Sequence, residues 1–361
     1  MKILTVVGNR PQFIKAAAVS GPLRARHEEL LVHTGQHHDD SLSGVFFREL
    51  GLAHPDRELG IAGGSNTSQL ARMLAALEPL VREQQPNAML VYGDTNSTLA
   101  GALAAADADV PVVHVEAGMR SFDRTMPEER NRVLTDHLSA LLLCASEGAA
   151  EHLRAESIAG RIEVVGDVMV DIALRLQPAA RADARTLEAH GVRPDEYLLL
   201  TAHRAGNVDP PARLRALVEL IGALPAPVVF PLHPRTRARL READLLEEVT
   251  TGIPGLRVTE PLPYGELAAL LCNARAVLTD SGGMQKEAYL AGVPCVTLRP
   301  STEWVETVQT GWNTLVDLDP AAALAALERP PPTERGGWDP NLYGDGHAAE
   351  RCVQAIDTLA P

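Results

Sequence analysis

The residues best suited to chemistry collect where apolar runs end and helical patterns begin. Gly8-Asn9-Arg10-Pro11-Gln12-Phe13-Ile14-Lys15 follows the first run and sets Arg10 and Lys15 at a helix start. Cations are disfavoured at the positive end of a helix, so their presence favours a functional role. Tyr92-Gly93-Asp94-Thr95-Asn96 ends a second run, and His114-Val115-Glu116-Ala117-Gly118-Met119-Arg120 a third. Asp94 reads either as a helix N-cap or as a catalytic carboxylate. Glu116 at the end of a buried strand is costly without a partner or a task. Met126-Pro127-Glu128-Glu129-Arg130-Asn131-Arg132 opens another helix. Proline with acids beside it is an ordinary helix start, which accounts for one glutamate. Asp94, Glu116 and Glu128 together at one sheet edge would raise one another's pKa, which suits proton transfer near neutral pH.

The second half carries a different set. Thr279-Asp280-Ser281-Gly282-Gly283-Met284-Gln285-Lys286-Glu287 turns tightly from an apolar run into a helical pattern over 283–291. Bare amides at such a helix start suit a phosphate, and two glycines let the backbone approach it. Glu287 falls one helical turn after Gly283 and can accept two hydrogen bonds from a ribose diol. The alternative is a plain strand–turn–helix corner, because short glycine motifs are weak signals. His203-Arg204 and His233-Pro234-Arg235 end two further runs. With Ser281, Gly282 and Gly283 they read as a diphosphate site.

The elements that must position these residues alternate throughout. Strand-like runs are expected over 3–7, 30–33, 88–92, 112–115, 141–144 and 162–165, with helical stretches between them such as 69–82. After a polar stretch over 175–194, a linker plus helix, a second series runs over 197–201, 228–231, 256–258, 276–279 and 295–298. Continuous apolar strands separated by amphipathic helices indicate parallel sheets covered on both faces. An α/β chain of two Rossmann-like domains facing across a cleft is the economical architecture: 1–170 with a final helix in 345–361, and 171–344. Pro330–Pro332 and Gly336-Gly337 form a loop before the last helix, expected over 347–359.

The chain has 361 residues, which favours two domains at roughly 100–200 residues each. A net charge of −14 argues against nonspecific binding to nucleic acid or an anionic membrane. The cysteines at 144, 272, 295 and 352 have no metal-ligand or disulfide spacing. Cys144 and Cys295 read as buried small residues. The opening apolar run is too short for a signal peptide, and no run approaches ~20 apolar residues. A reduced, cytoplasmic protein is expected.

Taken jointly, GNRPQFIK (8–15), TGQH (34–37), GDTNST (93–98), HVEAGMR (114–120), PEERNR (127–132), HRAGN (203–207) and TDSGGMQKE (279–287) resemble the motifs of the non-hydrolysing UDP-N-acetylglucosamine 2-epimerases, in family order and across nearly the whole chain. The resemblance implies a glycosyltransferase-B-like fold whose last helix crosses back to the N-terminal domain. It implies conversion of UDP-GlcNAc to UDP-ManNAc by anti elimination of UDP and re-addition to the other face, with no metal, nicotinamide or other cofactor. By motif position, Asp94, Glu116, Glu128 and His203 match the family's catalytic set. Arg10, Lys15 and Arg132 match its substrate and phosphate contacts, Ser281, Gly282 and Gly283 its diphosphate cradle, and Glu287 its ribose ligand. A homodimer is expected.

Two departures bear on substrate and regulation. Gly206 stands where the family usually shows glutamate, so a contact is lost or a bulkier sugar admitted. His38-Asp39 follow the QH pair where bacterial members often carry a second glutamine of an allosteric site, so inherited activation is not expected. Lys286, Pro294-Cys295 and Glu303–Thr307 resemble the branch that includes archaeal epimerases and epimerases of UDP-2,3-diacetamido-glucuronate. Rival readings are that glucuronate epimerase, a hydrolysing epimerase, a glycosyltransferase sharing the fold, and a non-catalytic nucleotide-sugar sensor.

Overall fold

A computed structural model describes residues 1–36, 51–225, 227–332 and 339–359, without the side chains of Arg10 and Pro340. His37, His38, Asp39 and the Gly336-Gly337 pair lie outside the described residues. The chain divides into two compact units, Met1–Ile172 with Pro340–Pro361, and Ala173–Asp339.

Unit 1 runs β1 (Lys2–Val7), α1 (Arg10–Arg24), β2 (Glu28–His33), β3 (Arg57–Glu58), α2 (Asn66–Gln84), β4 (Ala88–Tyr92), α3 (Asn96–Ala106), β5 (Val112–Ala117), α4 (Pro127–Leu138), β6 (Ser139–Cys144), α5 (Glu147–Ala155) and β7 (Arg161–Val164). Helix α6 (Val168–Ala182) spans the division between the units. Unit 2 continues with α7 (Ala184–Ala189), β8 (Leu198–Thr201), α8 (Ala205–Val208), α9 (Pro211–Ala223), β9 (Val228–Pro231), α10 (Pro234–Glu242), β10 (Leu256–Thr259), α11 (Tyr264–Asn273), β11 (Ala276–Thr279), α12 (Gly282–Ala291), β12 (Cys295–Thr297), α13 (Val305–Gln309), β13 (Asn313–Leu315) and α14 (Pro320–Leu327). The chain then returns to unit 1 with α15 (Pro340–Tyr343) and α16 (Ala348–Asp357).

Both sheets are parallel. Their orders are β3-β2-β1-β4-β5-β6-β7 and β10-β9-β8-β11-β12-β13. The order reverses beside β1 and β4 in one, and beside β8 and β11 in the other, and ligands favour the carboxyl ends of strands at such a reversal. Successive residues from Tyr197 into β8 feed opposite cores. Leu198 and Leu200 pack with Leu214, Leu217 and Phe230, whereas Tyr197 and Leu199 pack with Leu270, Val277 and Ala288. Each fully buried leucine stabilises by about 1.5–3 kcal/mol, and burial on both faces explains why these strands read as unbroken apolar runs. In unit 1, Leu4, Val6, Val32, Met89 and Val91 face α2 through Met73 and Leu77.

Helix α16 is tied to unit 1 at both ends. Asp171 accepts the amides of Ala348 (3.1 Å) and Ala349 (2.7 Å), and Arg161 donates to the Ala355 carbonyl at 2.9 Å. All four cysteines are free thiols and buried.

Candidate functional site

In unit 1, β1 ends in Gly8 and Asn9, and Asn9 caps α1 by accepting the Gln12 amide at 3.2 Å. The buried Gln12 side chain joins β1 to β4. It accepts from the Gly8 amide (2.7 Å) and donates to the Tyr92 carbonyl (2.8 Å) and the Thr98 hydroxyl (2.9 Å). Sequence reasoning gave Gln12 no role, although it lies in the same motif as Lys15. One helical turn on, Lys15 forms an ion pair with Glu116. Burial alone would lower the Lys15 pKa, but the negative charges of Glu116 and Asp94 hold it above its ordinary value. The backbone of Arg10 begins α1.

Thr95, not Asp94, caps α3: its hydroxyl accepts the Thr98 amide, and Thr98 reciprocates in a capping box. The Asp94 carboxylate is thereby left to Arg132 of α4, Nη2 to Oδ2 at 2.5 Å. Arg132 also reaches Glu129 at 3.1 Å. Glu129 is the structural acid of this helix start. It is buried and accepts the amides of Ser121 (2.8 Å) and Phe122 (3.0 Å), fixing the preceding loop. Burial would push its carboxyl up, but the Ser121 and Phe122 donors and Arg132 hold it below the usual range. Glu128, its neighbour, is exposed. Two of the three expected carboxylates are held in cation pairs, Lys15–Glu116 and Asp94–Arg132, and Glu128 lies outside both. The reason is topological: α1 and α4 deliver a cation to the carboxyl ends of β5 and β4.

Glu116 adopts a left-handed backbone, φ 68°, at a register shift where β5 meets β6. Such a bulge re-aims a side chain. Gly93 stands against it. A Cβ there would lie 3.1 Å from Lys15 Nζ and 3.2 Å from Glu116 Oε2, and its φ is 62°. Glycine therefore makes room for the ion pair.

In unit 2, Asp280 at the end of β11 is fully buried and organises the turn after β8. It accepts the backbone amides of His203 (3.0 Å) and Arg204 (2.9 Å) and the Asn207 side-chain amide (3.2 Å). The His203 ring lies 5.1 Å, centroid to centroid, from that of His233. Burial lowers the His203 pKa. Asp280 opposes that shift, and the positive charges of Arg204 and Arg235 add to it. His233 caps α10 by accepting the Arg235 amide at 3.1 Å. Arg204 pairs with Glu303 at 3.3 Å, and Arg299 approaches the other oxygen of Glu303 at 2.8 Å.

Ser281 stands at the N-cap of α12 with no side-chain cap bond, and Gly282 and Gly283 open the helix, whose first amides, as at any helix start, have no intrahelical acceptor. A Cβ on Gly282 would come within 2.4 Å of Glu303 Oε1, so no larger residue fits without a shift. Glu287, on the same helix, accepts from the Tyr264 hydroxyl at 3.4 Å. Around Gly206 the space is open: among the described residues, no atom outside its chain neighbours and its own helix backbone lies within 4 Å of a Cβ placed there. Lys286 is buried with its ammonium 4.5 Å from the centre of the Trp304 ring.

The family model described as UDP-N-acetylglucosamine 2-epimerase matches residues 23–357. A UDP-2,3-diacetamido-2,3-dideoxy-D-glucuronate 2-epimerase of Pseudomonas aeruginosa is 44% identical over 370 residues, covering 99% of this chain and all of the relative. A UDP-N-acetylglucosamine 2-epimerase homolog of Methanococcus maripaludis is 42% identical, again over 99% and 100% of the two chains. Among solved structures, the Methanocaldococcus jannaschii UDP-GlcNAc 2-epimerase in complex with UDP-GlcNAc and UDP superposes with a TM-score of 0.89 at 38% identity, covering 99% of this chain and 100% of that one. With a family match that spans most of both units, and relatives aligned end to end, the chain belongs to the UDP-N-acetylglucosamine 2-epimerase family.

Proposed function

We propose that this nucleotide-sugar isomerase interconverts UDP-GlcNAc and UDP-ManNAc by elimination and re-addition of UDP. One observation carries the reading: the paired carboxylates of unit 1, Glu116 with Lys15 and Asp94 with Arg132, in a chain whose other unit presents a glycine-opened helix N-terminus beside His203 and Arg204. In this scheme Ser281, Gly282 and Gly283 hold the diphosphate, with His203, His233 and Arg204 beside it, and Glu287 takes the ribose hydroxyls. Arg10, Lys15 and Arg132 offset negative charge. A carboxylate from Asp94, Glu116 or Glu128 removes the C2 proton as the C1–O bond breaks. The electron pair of the C–H bond forms C1=C2, and UDP leaves with the electrons of the C–O bond. In the return step UDP re-forms the C1–O bond with its original configuration, and a proton is delivered to the opposite face of C2, so that C2 alone is inverted. No carbonyl acidifies C2, so a positioned base and stabilised leaving charge must act together. The same reading takes the protein as a cytoplasmic homodimer. Its four free cysteines agree with a reducing compartment, and light scattering on the purified chain tests the dimer.

A second substrate is favoured by two observations. The Pseudomonas aeruginosa relative is named for UDP-2,3-diacetamido-2,3-dideoxy-D-glucuronate, and the space around Gly206, where the family usually carries glutamate, is open. Incubation with each nucleotide sugar, with products resolved by NMR, tests the proposal. A mixture of intact UDP-sugar epimers supports it. Release of free sugar and UDP would indicate hydrolysis instead, and no conversion of either compound would refute it.

A further inference from the structure

A buried cluster behind the strand ends of unit 1 has no part in the chemistry above. His114, two residues before Glu116, is fully buried, with Nε2 2.7 Å from the Gly93 carbonyl and Nδ1 2.7 Å from Asp136 Oδ1. The second oxygen of Asp136 accepts the amide of Gly118, two residues after Glu116, at 3.2 Å, and the Arg120 guanidinium at 2.7 Å. Arg120 in turn makes two 2.7 Å bonds to Glu156 at the end of α5. Asp136 thus grips the chain on both sides of Glu116, and through His114 it fixes the Gly93 peptide against which the Lys15–Glu116 pair rests. A left-handed backbone at a residue other than glycine persists only where its surroundings over-determine it.

We propose that Asp136 is a positioning residue: with His114 it clamps the bulge that turns the Glu116 carboxylate toward Lys15, and catalysis depends on that clamp rather than on its charge. The functional half rests on the epimerase reading; the geometric half does not. The carboxylate itself stays ionised in the fold. Burial would raise its pKa, and His114 and Arg120 hold it below the usual range.

The test compares Asp136→Ala with Asp136→Asn in the full chain. Asparagine keeps the clamp, since its oxygen can accept from Gly118 and Arg120 while its amide donates to a neutral His114 ring. Asp136→Ala should lower kcat by about 10²-fold, the usual penalty of a 1 Å misplacement, with KM and UDP affinity little changed. Asp136→Asn should recover most of that loss. In a Glu116→Gln background, Asp136→Ala should cost little more, because it acts through the missing carboxylate. A crystal structure of Asp136→Ala should show Glu116 released from its left-handed conformation and from Lys15. Should that variant not fold, His114→Leu breaks only the Gly93 arm and should give a smaller loss of the same kind. The proposal is overturned if asparagine falls as far as alanine, if the losses multiply in the Glu116→Gln background, or if Glu116 keeps its conformation and partner in the variant structure. A wild-type protein without epimerase activity would sink the functional reading instead, and the structural comparison would still decide the clamp.

Discussion

The two units share a strand order about their central strands, yet the carboxyl ends of those strands are furnished in opposite ways. In unit 1 they carry carboxylates locked to cations, Glu116 to Lys15 and Asp94 to Arg132. In unit 2 they carry a histidine pair, an arginine and a helix start stripped of side chains, with the buried carboxylate of Asp280 spent on backbone amides. On the proposed function, one scaffold would serve two tasks. Charged pairs can exchange protons and answer charge as it develops, whereas a bare helix start recognises an anion equally well before and during reaction. If this division holds, substitutions in unit 1 act on kcat and those in unit 2 on KM.

The largest effects should come from the acids. Asp94→Asn, Glu116→Gln and Glu128→Gln should each lower kcat by roughly 10²–10⁴-fold with modest change in KM, read from steady-state kinetics. Glu128 sharpens the comparison most, because it is exposed and lies outside both ion pairs; a Glu128→Gln variant at full rate would restrict the proton chemistry to the two paired acids. In unit 2, Glu287→Gln should raise KM by roughly tenfold, the cost of about 1.4 kcal/mol of uniform binding, and leave kcat nearly intact. An abolished kcat there would break the division. Gly282→Ala should weaken UDP binding several-fold in calorimetry, since its methyl group meets Glu303, whereas Gly222→Ala, with open space around it, should leave the affinity unchanged.

The smallest expected effect is on stability. The His203 pKa is lowered from 6.5 in the folded chain, chiefly by burial, so the unfolded chain binds the proton more tightly. The contribution is complete above pH 6.5 and is lost as pH falls through the folded value. The ring is 37% exposed, so the change is modest. His203→Gln should flatten the dependence of Tm on pH below 6.5, and an unchanged slope would remove His203 from the account.

The alternation of apolar runs with helical patterns made the α/β class legible, because strands buried on both faces leave an uninterrupted apolar signature. Ala88–Tyr92, Val228–Pro231 and Ala276–Thr279 carry the bounds that the pattern indicates. Strands without that signature escaped it. Arg57–Glu58 is two exposed residues paired to β2, and Asn313–Leu315 three residues beside β12. The apolar run also stopped at Val115, whereas β5 continues through Glu116 to Ala117, since a charged residue on a bulge looks like the end of a strand.

For the site, residue types and motif positions placed the candidates at strand ends, but their partners could not be read. Glu116 meets a lysine 101 positions away, and Asp94 an arginine 38 positions away. Only the order of parallel strands brings them together. The choice between cap and acid at Asp94 was likewise local in appearance but settled by its neighbour, because Thr95 takes the cap. His114 and Asp136 gave no sequence signal as a pair, being 22 positions apart on different elements.

The central claim is that carboxylates of unit 1 move the proton on carbon 2 of a UDP-sugar. The most direct measurement is proton NMR of UDP-GlcNAc, and in parallel UDP-2,3-diacetamido-2,3-dideoxy-D-glucuronate, incubated with the protein in heavy water. The account predicts that deuterium enters at C2 of at least one of them as the epimers interconvert, and that Glu116→Gln slows its entry. A C2 proton retained in both sugars at equilibrium would contradict it.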